Sequence, residues 1–250
     1  MEKIILILVL MTAATCVQRG KSEEPAPVVP ALSGVERIAI ARMNKEALLR
    51  ERFKQAGLPY PPRKIFLRAF KREAILELWA REEEGGTYKL IATYPVLASS
   101  GGPGPKFKEG DRQVPEGFYF IDRFNPESRF HLSLGLNYPN AADRLVVDPE
   151  HPGGDIFIHG GAISIGCLPI GDPAIEELFL VALDTATRGQ LNIPVDIFPT
   201  RMSGPEWESF ARESFARDRS LETFWNQLAL GYATFEPEHR VLEKRPESRH

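Results

Sequence analysis

The sequence predicts an α+β fold in which strands dominate and helices lie on the flank. Short apolar segments rich in aromatic and β-branched residues alternate with turn residues, which predicts a series of short strands. A segment rich in Gly and Pro at 99–110 is expected to be a loop between them. Apolar residues at helical spacing precede and follow this region. We therefore expect a mixed β-sandwich or barrel-like domain with flanking helices and a C-terminal helical extension.

Residues 1–16 have the pattern of an export signal. Charged residues at the start are followed by an apolar run at 4–11, which is too short to span a bilayer as a helix, and then by small residues. The cysteine directly after them, Cys16, resembles the lipidated cysteine of a bacterial lipobox, although Ala13 stands where such motifs usually carry Leu. Cys16 is therefore a candidate lipidation site, and its removal with the signal is the open alternative.

Residues 17–60 are predicted to contain a polar, proline-spaced tether and then a helical segment. Apolar positions recur at helical spacing from Val35 to Ala56 and stop before Gly57. The domain that follows is assigned to residues 61–202. Its predicted strands are 65–70, 74–79, 88–94, 117–123, 130–134, 155–158 and 193–198.

One helix inside this domain is well signalled, from Pro173 to Arg188. Asp172 is the expected N-cap, Pro173 suits the first helical position, and acidic residues in the first turn interact favourably with the helix dipole. After the domain, residues 203–250 are predicted to form the C-terminal helical extension and a polar tail. The aromatic and leucine side chains of this extension recur at broadly helical spacing, so we expect them to pack on the domain.

Charge and cysteine content restrict the classes of function. A net charge of -3 with scattered basic residues argues against nucleic-acid binding. The chain has only 2 cysteines, so Cys167 has no disulfide partner if Cys16 is acylated or removed. An unpaired cysteine in an oxidising compartment is either buried as a small hydrophobic residue or used in chemistry.

The surroundings of Cys167 favour chemistry. The predicted strand 155–158 carries His159 into a glycine-rich loop, and the returning chain is expected to bring Cys167 alongside the imidazole. The thiolate is the nucleophilic form of cysteine, and a neighbouring imidazole can take the proton of the thiol. These residues therefore predict a site for cysteine acyl transfer.

The loop before Cys167 supplies glycines and backbone donors. Gly160, Gly161 and Gly166 let the backbone approach closely and adopt positive φ. Backbone N–H groups near Ser164 and Cys167 are expected to form an oxyanion hole, with Ser164 adding a hydroxyl or holding the loop. Two alternatives stay open, a glycine-rich turn around a core cysteine and a metal site. Zinc needs three or four ligands, and no other Cys or His lies nearby in the sequence.

The histidine and cysteine motifs together resemble a known family. The His-Gly pair at 159–160 and the Ser-Ile-Gly-Cys run at 164–167 are similar to the L,D-transpeptidase catalytic domain (YkuD type), and within it to the YafK-like murein subgroup. Two further stretches, 104–119 and 193–199, look like the same subgroup. In order along the chain, the matches cover roughly 64–202.

The resemblance implies a β-rich fold and a cysteine acyl-enzyme that acts on peptidoglycan stem peptides at meso-diaminopimelate, without a metal or organic cofactor. It implies that Cys167 is the nucleophile, that His159 is its base and that the Gly160 carbonyl orients the imidazole. Gly166 and Cys167 would supply the oxyanion N–H groups, with Ser164 in the same motif. The protein would work in the periplasm of the bacterial cell envelope and would contact the membrane only through a lipid on its N-terminus.

Two departures from the commoner family pattern leave the acceptor open. Most members have a second histidine where Ile165 stands, and Asn or Arg where Pro169 stands. The acyl group therefore passes either to water, which cleaves a bond such as a lipoprotein–peptidoglycan link, or to an amine, which forms a cross-link. A non-catalytic peptidoglycan-binding lipoprotein with the same domain is the second hypothesis.

Substrate contacts are predicted from charge. The diaminopimelate stem carries carboxylates and an amine, so we expect Lys106 or Arg144 to pair with a carboxylate and Gly161 to contact the substrate. Lys108 and Arg123 are further candidates for the same role. Ordinary solvated surface charge is the alternative for each of these basic residues.

Overall fold

The computed structural model describes residues 32–240 of the chain. The predicted export signal with Cys16, residues 17–31 of the predicted tether and residues 241–250 lie outside this range. The helices and strands of the described part are α1 Gly34–Gln55, β1 Lys64–Phe70, β2 Ile75–Arg81, β3 Lys89–Pro95, β4 Gly117–Asn125, β5 Ser133–Leu136, β6 Phe157–His159, β7 Leu168–Pro169, α2 Asp172–Thr187, β8 Ile193–Phe198, α3 Gly204–Arg217 and α4 Ser220–Phe235. A short 3-10 helix, Asp143–Leu145, lies between β5 and β6. Within 32–240, no helix has both the length and the apolar character that a membrane crossing requires.

All eight strands belong to one mixed sheet. Their order is β3-β2-β1-β8-β4-β5-β6-β7. The β1–β8 and β6–β7 pairs are parallel, and the other neighbours are antiparallel. The predicted α+β class is confirmed.

Alternate side chains of β1 belong to different clusters, because successive residues of a strand point to opposite faces of the sheet. Ile65 and Leu67 join a core that includes side chains of α1 and α2. Phe66 and Phe70 instead pack with aromatic side chains of α4. Helices therefore cover both faces of the sheet, which explains why β1 is buried along nearly its whole length. The segment boundaries at residues 60 and 202 stay predictions.

Two strands begin later than the sequence pattern predicts. The strand expected at 130–134 is β5, and His131 before it has a φ of 70° that is incompatible with a strand. The strand expected at 155–158 is β6, and Asp155 before it has a φ of 53°. The sequence pattern predicted neither the two-residue strand β7 nor the 3-10 helix.

The helix ends show why α1 and α2 begin where they do. At α1, the Ser33 hydroxyl accepts the N–H of Glu36 at 3.3 Å, and the Glu36 carboxylate accepts the N–H of Ser33 at 2.8 Å. This reciprocal pair is a capping box. At α2, the prediction that Asp172 is the N-cap is wrong, because Gly171 occupies that position with a φ of 82°. The Asp172 carboxylate is thereby free to bind another part of the chain.

A buried carboxylate joins the loop before β4 to the sheet and to α4. Glu116 is 0% exposed and accepts hydrogen bonds from Lys71 Nζ at 2.9 Å and from Trp225 Nε1 at 2.7 Å. It also accepts the backbone N–H of Gly104 at 2.8 Å. The three donors come from the end of β1, from α4 and from the loop itself, so Glu116 fixes the loop in place.

Glu116→Ala should lower the free energy of unfolding by about 3–5 kcal/mol, because it leaves the buried Lys71 ammonium without its counter-ion and the buried Trp225 N–H without its acceptor. Urea denaturation followed by circular dichroism measures this loss. Glu46→Ala is the matched control, since it removes a surface carboxylate that pairs with Arg50 on α1. We expect a loss of at most about 1 kcal/mol there. Equal losses in the two variants would contradict the assigned role of Glu116.

Candidate active site

One cleft contains both the predicted histidine and the predicted cysteine. Its volume is about 970 Å³, and its lining includes His159 and Cys167. The walls are formed by residues from 106–112, from 125–133 and from 153–167. The first range is the loop that Glu116 fixes, and the third carries both site residues.

The pairing of β6 with β7 places the two side chains. The strands are parallel, with Ile158 opposite Leu168 and His159 opposite Pro169. The chain therefore leaves β6 at His159, turns through the glycine-rich loop and returns alongside β6. Cys167, the residue before β7, lies next to Phe157 as a result. The return of the chain that the sequence predicted is present in the structure.

The imidazole of His159 is held in one orientation. Its Nδ1 lies 2.5 Å from the carbonyl oxygen of Gly160, so Nδ1 carries the proton and Nε2 carries the free lone pair. The ring of Phe130 packs against it, with ring centroids 4.5 Å apart and an interplanar angle of 31°. Burial lowers the pKa of His159, and the hydrogen bond to Gly160 opposes this effect. At neutral pH the ring is therefore a neutral base with Nε2 available.

The Gly160–Gly161 turn is packed too tightly for side chains. A Cβ on Gly160 would lie 2.5 Å from the carbonyl oxygen of Phe130 and would also collide with the Asp172 carboxylate. That carboxylate accepts the backbone N–H of Gly161 at 2.8 Å. Asp172 thus ties the histidine loop to the start of α2. The sequence placed Asp172 only at the helix start, and its helix-start signal says nothing about this loop.

The thiol of Cys167 is hydrogen-bonded to the backbone and not to the imidazole. Sγ lies 3.6 Å from the carbonyl oxygen of Asp155, and within residues 32–240 no hydrogen bond joins it to the ring of His159. Burial raises the pKa of Cys167, the backbone N–H of Phe157 opposes this, the charge of Asp155 raises the pKa further and Lys106 lowers it. The resting pair is therefore a neutral thiol and a neutral imidazole, whereas the sequence led us to expect a thiol already ionised by the ring.

The Ser164 hydroxyl closes the turn that carries the cysteine. Its Oγ accepts the backbone N–H of Gly166 at 3.1 Å and that of Cys167 at 2.9 Å, and it donates to the Cys167 carbonyl at 2.7 Å. Of the two roles expected for Ser164, the structure shows it holding the loop. The two N–H groups expected to bind an oxyanion are occupied by this hydroxyl.

The three residues predicted to contact substrate are either paired within the protein or outside the cleft lining. Lys106 lines the cleft, but it is buried, pairs with Asp111 and donates to the Lys108 carbonyl at 2.8 Å. Arg144 is exposed on the 3-10 helix and is not part of the cleft lining. Gly161 is likewise outside the lining, and its N–H donates to a carboxylate.

Two arginines that the sequence pattern did not single out do line the cleft. Arg112 and Arg129 are both exposed. Lone arginines in loops carry no recognisable pattern, so nothing in the sequence distinguished them from surface charge. Arg123 and Lys108 are not part of the lining, and Arg123 pairs with Asp122 and with the lining residue Asp155. Among residues 32–240, no group of three or more His, Cys, Asp or Glu is placed to hold a metal ion.

The loop that carries Phe130 is fastened by α1. Arg37 Nη1 donates to the carbonyl oxygens of Ser128 and His131, each at 2.6 Å, and to that of Pro126 at 3.4 Å. The Arg37 guanidinium therefore holds the segment that carries Phe130, whose ring packs on the imidazole of His159. Partners that are backbone carbonyls leave no trace in the sequence, which is why this contact was not predicted.

A family comparison supports the motif resemblance. The model of the YkuD family, the L,D-transpeptidase catalytic domain, matches residues 72–197. Proteins named "Putative L,D-transpeptidase YafK" from Escherichia coli K12 and from Escherichia coli O157:H7 are each 33% identical to the chain over 174 residues. The matched region is 69% of this chain and 66% of each relative, so the chain spans slightly less than two thirds of their length.

Solved structures show weaker likeness. The helical cell shape determining protein Pgp2 from Campylobacter jejuni is 20% identical, with 73% of this chain and 64% of that chain covered and a TM-score of 0.45. Bd1075 from Bdellovibrio bacteriovorus is 22% identical, with coverages of 70% and 62% and a TM-score of 0.40. Mycobacterium tuberculosis L,D-transpeptidase 1 is 12% identical, with coverages of 54% and 61% and a TM-score of 0.31. These likenesses are too weak to support a functional argument.

Asp155→Asn should lower the pKa of Cys167, because it removes a negative charge that disfavours the thiolate. Alkylation by iodoacetamide, followed by mass spectrometry at low ionic strength, should then become fast at a lower pH than in the wild type. Asn tolerates the left-handed backbone of Asp155 as well as Asp does. Asp122→Asn, which removes the other carboxylate on Arg123, is the control and should leave the midpoint unchanged. An unchanged midpoint in Asp155→Asn would contradict the electrostatic effect.

Arg37→Gln should loosen the loop at 126–131, because it removes charge-assisted hydrogen bonds worth about 1.5–3 kcal/mol each. Backbone amides in this loop should exchange hydrogen about 10-fold faster or more. Hydrogen–deuterium exchange with mass spectrometry measures the rate. Arg50→Gln, which removes an exposed arginine of the same helix, should leave the loop unaffected. Identical exchange in both variants would show that Arg37 does not hold this loop.

Proposed function

The chain belongs to the YkuD family of L,D-transpeptidase catalytic domains, and we propose that it is an exported cysteine enzyme of peptidoglycan stem peptides. The observation that carries the proposal is that His159 and Cys167 open into one cleft, with Nε2 of the histidine free to accept a proton. The target is the amide at meso-diaminopimelate. Membrane attachment, if Cys16 is acylated, is through that lipid alone.

The first half of the reaction forms a thioester. The thiol of Cys167 rotates from the Asp155 carbonyl toward His159, and Nε2 takes its proton as sulfur attacks the carbonyl carbon of the scissile amide. A carbon–sulfur bond forms and the carbonyl oxygen becomes an oxyanion. The carbon–nitrogen bond then breaks, and the departing amine takes the proton from the imidazolium. The Gly160 carbonyl keeps the ring oriented throughout, because it holds the proton on Nδ1.

The oxyanion takes over the donors that Ser164 now occupies. We propose that the N–H groups of Gly166 and Cys167 transfer from the neutral Ser164 hydroxyl to the charged oxygen. Hydrogen bonds to an ionised acceptor are roughly twice as strong as those to a neutral one, so the developing charge favours the exchange. Ser164 therefore keeps the two donors aligned before substrate arrives, and their order does not have to be created during the reaction.

The second half of the reaction consumes the thioester. With His159 again as base, water attacks the thioester carbon, the carbon–sulfur bond breaks and sulfur regains a proton. The product is the free acid of diaminopimelate; where the scissile amide joins it to a lipoprotein, that lipoprotein has already left as the amine in the first half. Attack by an amine instead gives a cross-linked stem. We propose hydrolysis, on the resemblance of the motif spacing to the YafK-like subgroup.

The second candidate is a non-catalytic peptidoglycan-binding lipoprotein. The observation that favours it is that the neutral thiol is hydrogen-bonded to the Asp155 carbonyl and that Ser164 occupies both oxyanion donors. It predicts binding to peptidoglycan without covalent labelling of Cys167 by a carbapenem. Acylation of Cys167 by that β-lactam would exclude it.

Cys167→Ala should abolish both turnover of muropeptides and carbapenem labelling while leaving the circular dichroism spectrum unchanged. His159→Ala should lower the rate by about 10²–10⁴-fold, because the proton acceptor is lost. Mass spectrometry of the products separates the addition of water from the formation of a cross-link.

His151→Ala is the matched control, because His151 is exposed and does not line the cleft. This variant should keep wild-type activity. Turnover that survives in Cys167→Ala would refute the assignment of the nucleophile. An unchanged rate in His159→Ala would refute the assignment of the base.

A further inference from the structure

We propose that Arg112 and Arg129 bind carboxylates of the diaminopimelate stem and so determine which stems the cleft accepts. The proposal rests on the proposed function, because it names the groups that recognise the same substrate. Both arginines line the cleft, Arg112 on the loop beside the turn that carries Cys167 and Arg129 on the loop whose Phe130 packs on His159. Their side chains form no ion pair or hydrogen bond with any other residue of the range 32–240.

Arg112 is held in a strained backbone conformation beside the nucleophile turn. Its φ is 56°, a value that costs a non-glycine residue about 1 kcal/mol or more. Both neighbours are anchored, since Asp111 accepts the N–H of Gln113 at 3.0 Å and Gln113 Nε2 donates to the Gly104 carbonyl at 2.6 Å. Gln113 lies close to the turn that carries Cys167, because a Cβ atom added to Gly166 would be 3.2 Å from the Gln113 carbonyl oxygen. The anchored backbone therefore holds Arg112, with its unpaired guanidinium, next to the turn that carries the thiol.

Arg129 is fixed next to the base. The residue before it, Ser128, is bound through its carbonyl by Arg37 at 2.6 Å. The residue after it, Phe130, packs on the imidazole of His159. The backbone on both sides of Arg129 is thus positioned, while its side chain lines the cleft and is exposed.

The other basic groups near the cleft are already neutralised. Lys106 pairs with Asp111, and Arg123 pairs with Asp155 at 2.9 Å. Arg112 and Arg129 therefore supply the uncompensated positive charge of the cleft. A guanidinium binds a carboxylate through two parallel hydrogen bonds, which gives strength and fixes orientation.

The substrate offers carboxylates on both sides of the bond that breaks. One lies at the D-centre of diaminopimelate, together with a free ammonium, and another lies on an amino acid that leaves with the amine. One arginine beside the cysteine turn and one beside the histidine match this distribution. Glu109 also lines the cleft and forms no ion pair within residues 32–240, so it is available for the ammonium.

The test compares two synthetic stem tetrapeptides that differ only in the diaminopimelate side-chain carboxyl, free in one and amidated in the other. For the free acid, Arg112→Gln and Arg129→Gln should each raise KM about 10-fold or more, with a smaller change in kcat. For the wild type, amidation should raise KM by a similar factor. In the variant that lacks the arginine for that carboxyl, amidation should have no further effect.

Two controls keep the outcomes distinct. Arg50→Gln, an exposed arginine of α1, should behave as the wild type with both peptides. The same arginine substitutions in the Cys167→Ala background give equilibrium dissociation constants that do not depend on turnover. Wild-type KM and dissociation constants in both arginine variants would overturn this proposal while leaving the enzyme intact. Arginine-dependent binding without turnover by the wild type would overturn the enzymatic proposal and support this one.

Discussion

The parallel pairing of β6 with β7 is the constraint on which the site depends. It forces the chain to leave the sheet at His159 and to return beside the same strand at Cys167. The residues between them must fit into a short turn. Lack of space for a side chain explains glycine at 160 and 166, and the Ser164 hydroxyl accepts backbone N–H groups that would otherwise be unpaired. The nearness of sulfur and imidazole is thus a property of the sheet, while their alignment is left to side-chain rotation.

Elements outside the matched family range hold two of the three wall segments of the cleft. The family model covers 72–197, which excludes α1 and α4. Nevertheless Arg37 of α1 binds the carbonyls of one wall, and Trp225 of α4 binds the carboxylate that fixes the other. These two helices therefore do more than cover the faces of the sheet, because each contributes a side chain, Arg37 or Trp225, whose hydrogen bonds hold a loop of the cleft.

What the sequence could predict was local. The strand before His159, the glycines after it and the helix at 173–188 are written in consecutive residues, and their positions follow from periodicity and turn chemistry. Three contacts instead depend on which parts of the chain come close in the folded protein. They are the hydrogen bond from the Gly161 N–H to Asp172, the contact of the thiol with the Asp155 carbonyl and the packing of Phe130 on the imidazole. Composition does not encode those encounters, so they required coordinates.

The neutral resting thiol has a consequence for the chemical durability of the protein. Peroxides and small disulfides react with the thiolate, so a sulfur that keeps its proton is slow to become a sulfenic acid or a mixed disulfide. The burial and the neighbouring carboxylate that hold Cys167 protonated thereby shield it from oxidative damage. In the proposed reaction, the thiol becomes reactive only when substrate in the cleft rearranges it, so protection from oxidation and catalysis occur at different times.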